Sequence, residues 1–81
     1  MAVLRSWNVF TDGVHLVAYD CEELHLFAKV IGLKREWFQS TPRHPHYDLP
    51  TERMSHKAIL AGAQVVSGRY CEAVSRAAGV S

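Results

Sequence analysis

The chain has 81 residues, 48% hydrophobic and 21% charged, with a formal net charge of +1. That length means one domain, residues 1–81, with a thin core, because so short a chain buries only about 60–65% of the surface it exposes when unfolded. The composition excludes a disordered chain, the absence of an apolar run of roughly 18–20 residues excludes a membrane span, and the near-neutral charge argues against a dedicated nucleic-acid binder. The opening Met1-Ala2-Val3-Leu4-Arg5-Ser6-Trp7 has no basic start leading into a long apolar stretch. It does not read as a signal peptide, and a cytoplasmic location is expected.

In chain order, Trp7-Asn8-Val9-Phe10 reads as a short strand and Thr11-Asp12-Gly13 as a turn. Val14-His15-Leu16-Val17-Ala18 reads as a mostly apolar strand buried on at least one face. Asp20 then offers an N-cap, with Glu23 three residues on in a capping-box spacing. Leu24, Phe27, Ala28 and Ile31 give the following helix one apolar face, and Gly32 ends it. Residues 33–50 read as one long connection, in which Arg35-Glu36-Trp37-Phe38-Gln39 makes at most a helical turn and Trp37-Phe38 anchors the segment to the core. Connections of that length in small domains tend to be functional. A second helix is expected from about Pro50 or Thr51 to Ala61, with Asp48 or Leu49 near its cap and Met54, Ala58 and Ala61 inward. Ala63-Gln64-Val65-Val66 reads as a strand. Ser67 caps a third helix, about Gly68 to Ala78, with Cys71, Val74 and Ala78 inward.

These elements predict an α/β or α+β fold: a small, partly parallel sheet of two to three strands covered by about three helices. The strands at 14–18 and 63–66 are joined through helices, so they are expected to run parallel, with a ligand site at their carboxyl ends. Cys21 and Cys71 both fall in helices and read as small apolar residues rather than as a disulfide or zinc pair.

Charge is uneven. Residues 1–33 carry Arg5 and Lys29 against Asp12, Asp20, Glu22 and Glu23, a net −2, whereas residues 34–57 carry Lys34, Arg35, Arg43, Arg53 and Lys57 against Glu36, Asp48 and Glu52, a net +2. A ligand of the second block is therefore expected to be anionic. That block holds Arg43-His44-Pro45-His46-Tyr47-Asp48-Leu49-Pro50, where Pro45 and Pro50 stiffen the His-Tyr-Asp core. In extended geometry His46 and Asp48 share one side and Tyr47 takes the other. An imidazole beside a carboxylate suits a general base or an anion-binding cation. The plainer alternative makes Asp48 a helix cap, packs Tyr47 on Trp37 and bonds His46 to a backbone carbonyl. His15 joins the candidates from its strand. Arg53 and Lys57, four apart on one helix face, and Arg35 offer charge for a phosphate or carboxylate, and Trp37 and Tyr47 offer rings for a base to stack on. His15, His25, His46 and Asp48 together have donors suited to zinc, iron or manganese, but no His-Glu-x-x-His spacing is present and no metal is assigned.

The runs His15-Leu16-Val17-Ala18, Glu23-Leu24-His25, Ile31-Gly32-Leu33, Arg35, Trp37-Phe38-Gln39, His46-Tyr47-Asp48-Leu49 and Gly62-Ala63, over residues 14–67, resemble in order and spacing the small bacterial and phage proteins grouped as domain of unknown function 4031. Members of that group tend to carry an early acidic residue and an Asp directly after His-x-x-Ala. Here Tyr19 takes the second place and Trp7 to Phe10 contain no acid. The resemblance implies a fold and candidate residues, but no activity and no cofactor; phage membership implies interference with a host function. Three function classes stay open. One is an anionic-ligand or nucleotide binder using His15, Arg35, Trp37, His46, Tyr47, Asp48, Arg53 and Lys57. Another is a small hydrolase of a phosphoester, nucleotide or glycosidic bond using His46, Asp48 and His15. The third is a protein–protein module, either an inhibitor of a host protein or a homo-oligomer joined through Val3, Leu4, Trp7, Val9 and Phe10.

Overall fold

The structure, a computed structural model, describes residues 6–41 and 43–80. The N-terminal hydrophobics Val3 and Leu4 lie outside them. Strands β1 (Val9–Thr11) and β2 (His15–Ala18) form a hairpin, followed by helix α1 (Cys21–Ile31) and a 3-10 turn at Arg35–Trp37. Then come β3 (Phe38–Gln39), β4 (His46–Asp48), α2 (Glu52–Ala61), β5 (Gln64–Val65) and α3 (Gly68–Gly79). The result is an α+β domain: one five-stranded mixed sheet, ordered β3-β4-β2-β1-β5, between α1 and α2 on one face and α3 on the other.

Local chemistry sets most boundaries. Asp20 caps α1 by accepting from the Glu22 N–H, and Ser67 caps α3 by accepting from the Tyr70 N–H. The capping box is not closed: Glu23 instead accepts from the Asn8 N–H at 2.9 Å and ties the chain ahead of β1 to α1. Gly32 ends α1 at φ 90°, a left-handed conformation that costs glycine little. The cap of α2 is Thr51, whose hydroxyl accepts from the Met54 N–H, and neither Asp48 nor Leu49 serves there.

Period-two alternation divides the core between the two faces. Val9, Leu16, Ala18 and Tyr47 pack with Leu24, Phe27, Ala28 and Ile31 of α1 and Ala58 of α2. Phe10 and Val17, from the same strands, turn the other way onto Cys71 and Val74 of α3. Among the described residues no helix is long and apolar enough to cross a membrane.

The sheet corrects three expectations. The segments at 14–18 and 63–66 are not parallel neighbours. β1 lies between them, antiparallel to β2 and parallel to β5, through Phe10↔Gln64 and Thr11↔Val65. The tight turn after β1 is the cause: it can only return β2 antiparallel, leaving the outer edge of β1 to receive β5. The argument for a site at two parallel carboxyl ends falls with that pairing. Second, the connection over 33–50 is not structureless, because it contributes β3 and β4, antiparallel to each other, with β4 antiparallel to β2. The sheet therefore has five strands rather than two or three. Third, Phe38 packs on the core while Trp37 stays 39% exposed, its ring under the Lys34 ammonium at 5.5 Å. Tyr47 packs on Phe38, ring centroids 5.3 Å apart, and not on Trp37.

Candidate functional site

The hairpin turn builds the first part of the site. Thr11 Oγ1 accepts from the Gly13 N–H, and Asp12 Oδ1 accepts from the N–H groups of both Val14 and His15, at 2.9 and 2.8 Å. Gly13 takes φ 98°, which the turn requires and which a side chain at that position resists. The second carboxylate oxygen is then left facing the His15 ring: Nδ1 stands 3.0 Å from Asp12 Oδ2. The same aspartate that shapes the turn thus grips the imidazole that follows it.

Strand pairing supplies the second part. β4 lies against β2 with His15 opposite Asp48, so the His46 and Asp48 side chains emerge on the α3 face beside His15. His15 Nε2 lies 4.0 Å and His46 Nε2 3.4 Å from Asp48 Oδ1, and the two imidazoles meet edge to face at 5.5 Å. His46 Nδ1 faces the His44 carbonyl oxygen. A carbonyl and an ionised carboxylate only accept, so each histidine donates from Nδ1 and presents Nε2 to its surroundings. Exposure is graded across the cluster: the side chains of Asp12 and His46 are 15% and 21% accessible, those of His15 and Asp48 46% and 54%.

α3 closes the far wall. Its residues Gly68, Cys71, Glu72 and Ser75 face Asp12, His15, His44 and His46 across a cavity of about 550 Å³, which Val17 floors. Ser75 Oγ donates to the Pro45 carbonyl at 2.9 Å, fixing the entry to β4 against the helix. Gly68 lies close to the pair: a Cβ there would stand 3.4 Å from Asp12 Oδ2, at van der Waals contact.

Electrostatics sort the roles. Burial raises the Asp12 pKa, but hydrogen bonds from the His15 ring and from the His15 and Val14 N–H groups outweigh it, so the carboxyl titrates below its ordinary range. Burial, and then the Asp12 charge, pushes the Cys71 thiol up to about 11. A thiol held there is protonated at neutral pH and is no nucleophile.

Of the candidate residues, the fold brings His15 and His46 into the cavity lining and sets Asp48 beside them, outside that lining. Tyr47 and Arg35 line a separate hollow on the α1 face, where Tyr47 Oη and His25 Nδ1 share a 2.8 Å hydrogen bond. His25 is therefore on the opposite side of the sheet from His15, His46 and Asp48, and these four residues do not assemble into one centre. Among the described residues no group of three or more His, Cys, Asp or Glu side chains is arranged to hold a metal ion. Trp37, Arg53 and Lys57 line neither space. Sequence reasoning missed Asp12 as a partner. An Asp-Gly turn three residues ahead of a strand-leading histidine was the available signal, since an Asx turn leaves one carboxylate oxygen uncommitted. It also missed the α3 wall, for which no local pattern exists.

The chain belongs to the family described as protein of unknown function (DUF4031), whose model matches residues 7–78, beyond both ends of the 14–67 stretch that carried the resemblance. No curated protein and no solved structure matches it.

Proposed function

We propose that the protein is a small hydrolase of phosphoester bonds that works by acid–base catalysis at the α3-face cavity. The observation that carries the reading is the Asp12–His15 pair. An ionised carboxylate on Nδ1 fixes the tautomer and stabilises the imidazolium that forms, so that Nε2 is the atom free to take a proton. His46 stands beside it, oriented in the same way by the His44 carbonyl, with Asp48 Oδ1 3.4 Å from its Nε2 as an ion-pair partner whenever the ring is protonated.

In the reaction His15 Nε2 removes a proton from water as the water oxygen bonds to phosphorus. The bond from phosphorus to the leaving oxygen breaks, and His46 Nε2 gives that oxygen its proton. Exchange with solvent then returns His15 to its neutral form and His46 to its protonated one. The anionic end of the substrate is assigned to a smaller hollow, of about 250 Å³, that shares His44 with the cavity and is lined by Arg43 and Arg76. Guanidinium groups suit phosphate because they bind it through two parallel hydrogen bonds. Arg76 also pairs with Glu72 at 3.0 Å, which keeps that carboxylate from facing the substrate unneutralised.

The test is turnover of p-nitrophenyl phosphate, bis-p-nitrophenyl phosphate and a nucleotide panel, with and without divalent cations. Active wild-type protein should lose about 10²-fold or more in kcat on His15→Ala or His46→Ala, while the exposed His56→Ala is unchanged. Absence of turnover across the panel removes the hydrolase reading, and thermal stabilisation by the same compounds without turnover would leave an anionic-ligand binder in its place.

A further inference from the structure

The second face of β4 has its own concavity. Alternation along three residues sends His46 and Asp48 toward α3 and Tyr47 toward α1, and on the α1 side lies a mostly apolar hollow of about 590 Å³. Leu26 and Leu33 form its apolar walls, Lys29 and Arg35 its cations and Glu22 its one carboxylate. Its floor is the His25–Tyr47 pair, with Phe38 set edge-on to the His25 ring at 4.5 Å.

The physical character of this hollow differs from that of the hydrolytic cavity. Burial, then the Arg35 charge, lowers the His25 pKa despite Glu22, and burial raises that of Tyr47. Both floor groups are thus neutral at pH 7, and the lining carries two cations against one anion. Its walls suit the flat body of an aromatic ring, and its rim suits one anionic group. Arg35 is already stacked on an aromatic, its guanidinium 5.3 Å from the Phe38 ring centre, so it is held in place before any ligand arrives. Volumes of this order are those of small-molecule sites.

We propose that the α1-face hollow is a second, non-catalytic binding site for an aromatic phosphomonoester of the nucleoside monophosphate class, whose phosphate carries close to two negative charges at pH 7. The ring lies between Leu26 and Leu33 over His25, and the phosphate is gripped by Lys29 and Arg35. This inference does not depend on hydrolysis at the other face.

Isothermal titration with adenosine 5′-monophosphate tests it, with adenosine and ribose 5-phosphate as the two halves of the probe. The whole nucleotide should bind at least about tenfold more tightly than either half. Arg35→Ala and Lys29→Ala should each weaken binding by about tenfold, charge-assisted contacts to phosphate being worth that much or more. Lys29 sits on an exposed helix surface, so its variant reports on binding even if Arg35→Ala disturbs the fold. His15→Ala, on the far side of the sheet, should leave the affinity unchanged. No detectable binding of the nucleotide at about 1 mM overturns the proposal. So does affinity that survives both cation variants, or affinity that is lost with His15→Ala, which would place the nucleotide in the hydrolytic cavity.

Discussion

Asp12 is a turn residue and a site residue at once, and the two roles use different oxygens. Substitution by Asn separates them. The amide oxygen still accepts from the backbone, so the hairpin persists, but the amide nitrogen facing His15 Nδ1 can only donate. It therefore drives the ring proton to Nε2, the atom that must be bare to act as a base. Asp12→Asn is expected to cost about 1–2 kcal/mol of stability at pH 7, the scale of a hydrogen bond to a charged group, and about 10²-fold or more in kcat. The sign of the pH dependence follows from the depressed carboxyl. Its stabilisation is complete above the ordinary aspartate range and is lost as pH falls through the lower value it has in the folded protein. Urea melts of wild type and variant should thus differ at pH 7, begin to converge only as pH falls below about 4, and meet below the depressed folded value. A gap that persists undiminished into acid would show that the Asp12 charge is not what matters. Little of this was legible in the sequence. Asp12-Gly13 announced a turn and His15 a candidate, but the bond between them needs the turn geometry to aim the second oxygen.

At the scale of elements, α1 and α3 were legible because each has a side-chain cap and an apolar stripe, α1 with a glycine terminator besides, and their predicted bounds lie close to those observed. β3 and β4 were not, since two- and three-residue strands are too short for a periodicity to declare itself and are formed by pairing with β2. Yet the alternation of His46, Tyr47 and Asp48 was readable from extended geometry alone, and it is what gives the strand a face on each concavity. The plainer reading of Asp48 as a helix cap is separable by mutation. Thr51 caps α2, so Thr51→Ala is expected to cost about 1 kcal/mol. Asp48→Ala, more than half exposed and outside the cap, should change stability by no more than about 0.5 kcal/mol while reducing turnover. Chemical denaturation of both variants checks this, and a larger loss at Asp48 would return it to a structural role.

For the whole molecule, the two faces of the sheet are unequally held. The α1/α2 side buries Phe27, Tyr47, Leu16, Leu24 and Ile31 in one cluster, with Trp7 set edge-on to Phe27 at 5.1 Å. The α3 side rests on Phe10, Val17, Cys71 and Val74. Burial of apolar surface is worth roughly 25 cal/mol per Å², so the face with fewer and smaller side chains has less holding it down. That weaker layer is also the wall of the α3-face cavity, joined to the entry of β4 by the Ser75–Pro45 hydrogen bond. Partial openings draw on the least stable unit of a fold. The amides of α3 should therefore exchange with solvent at lower denaturant than those of α1, and turnover should disappear along with the protection of α3, before the α1-face core opens. Val74→Ala, which removes a fully buried side chain from the smaller cluster, is expected to widen that interval. Phe27→Ala, in the larger cluster, should cost about 3–5 kcal/mol and narrow it. Native-state hydrogen exchange alongside activity, across a denaturant series, reads both. Simultaneous loss of protection in α1 and α3 would mean that the sheet transmits stability between its faces and that the cavity opens only when the whole chain unfolds.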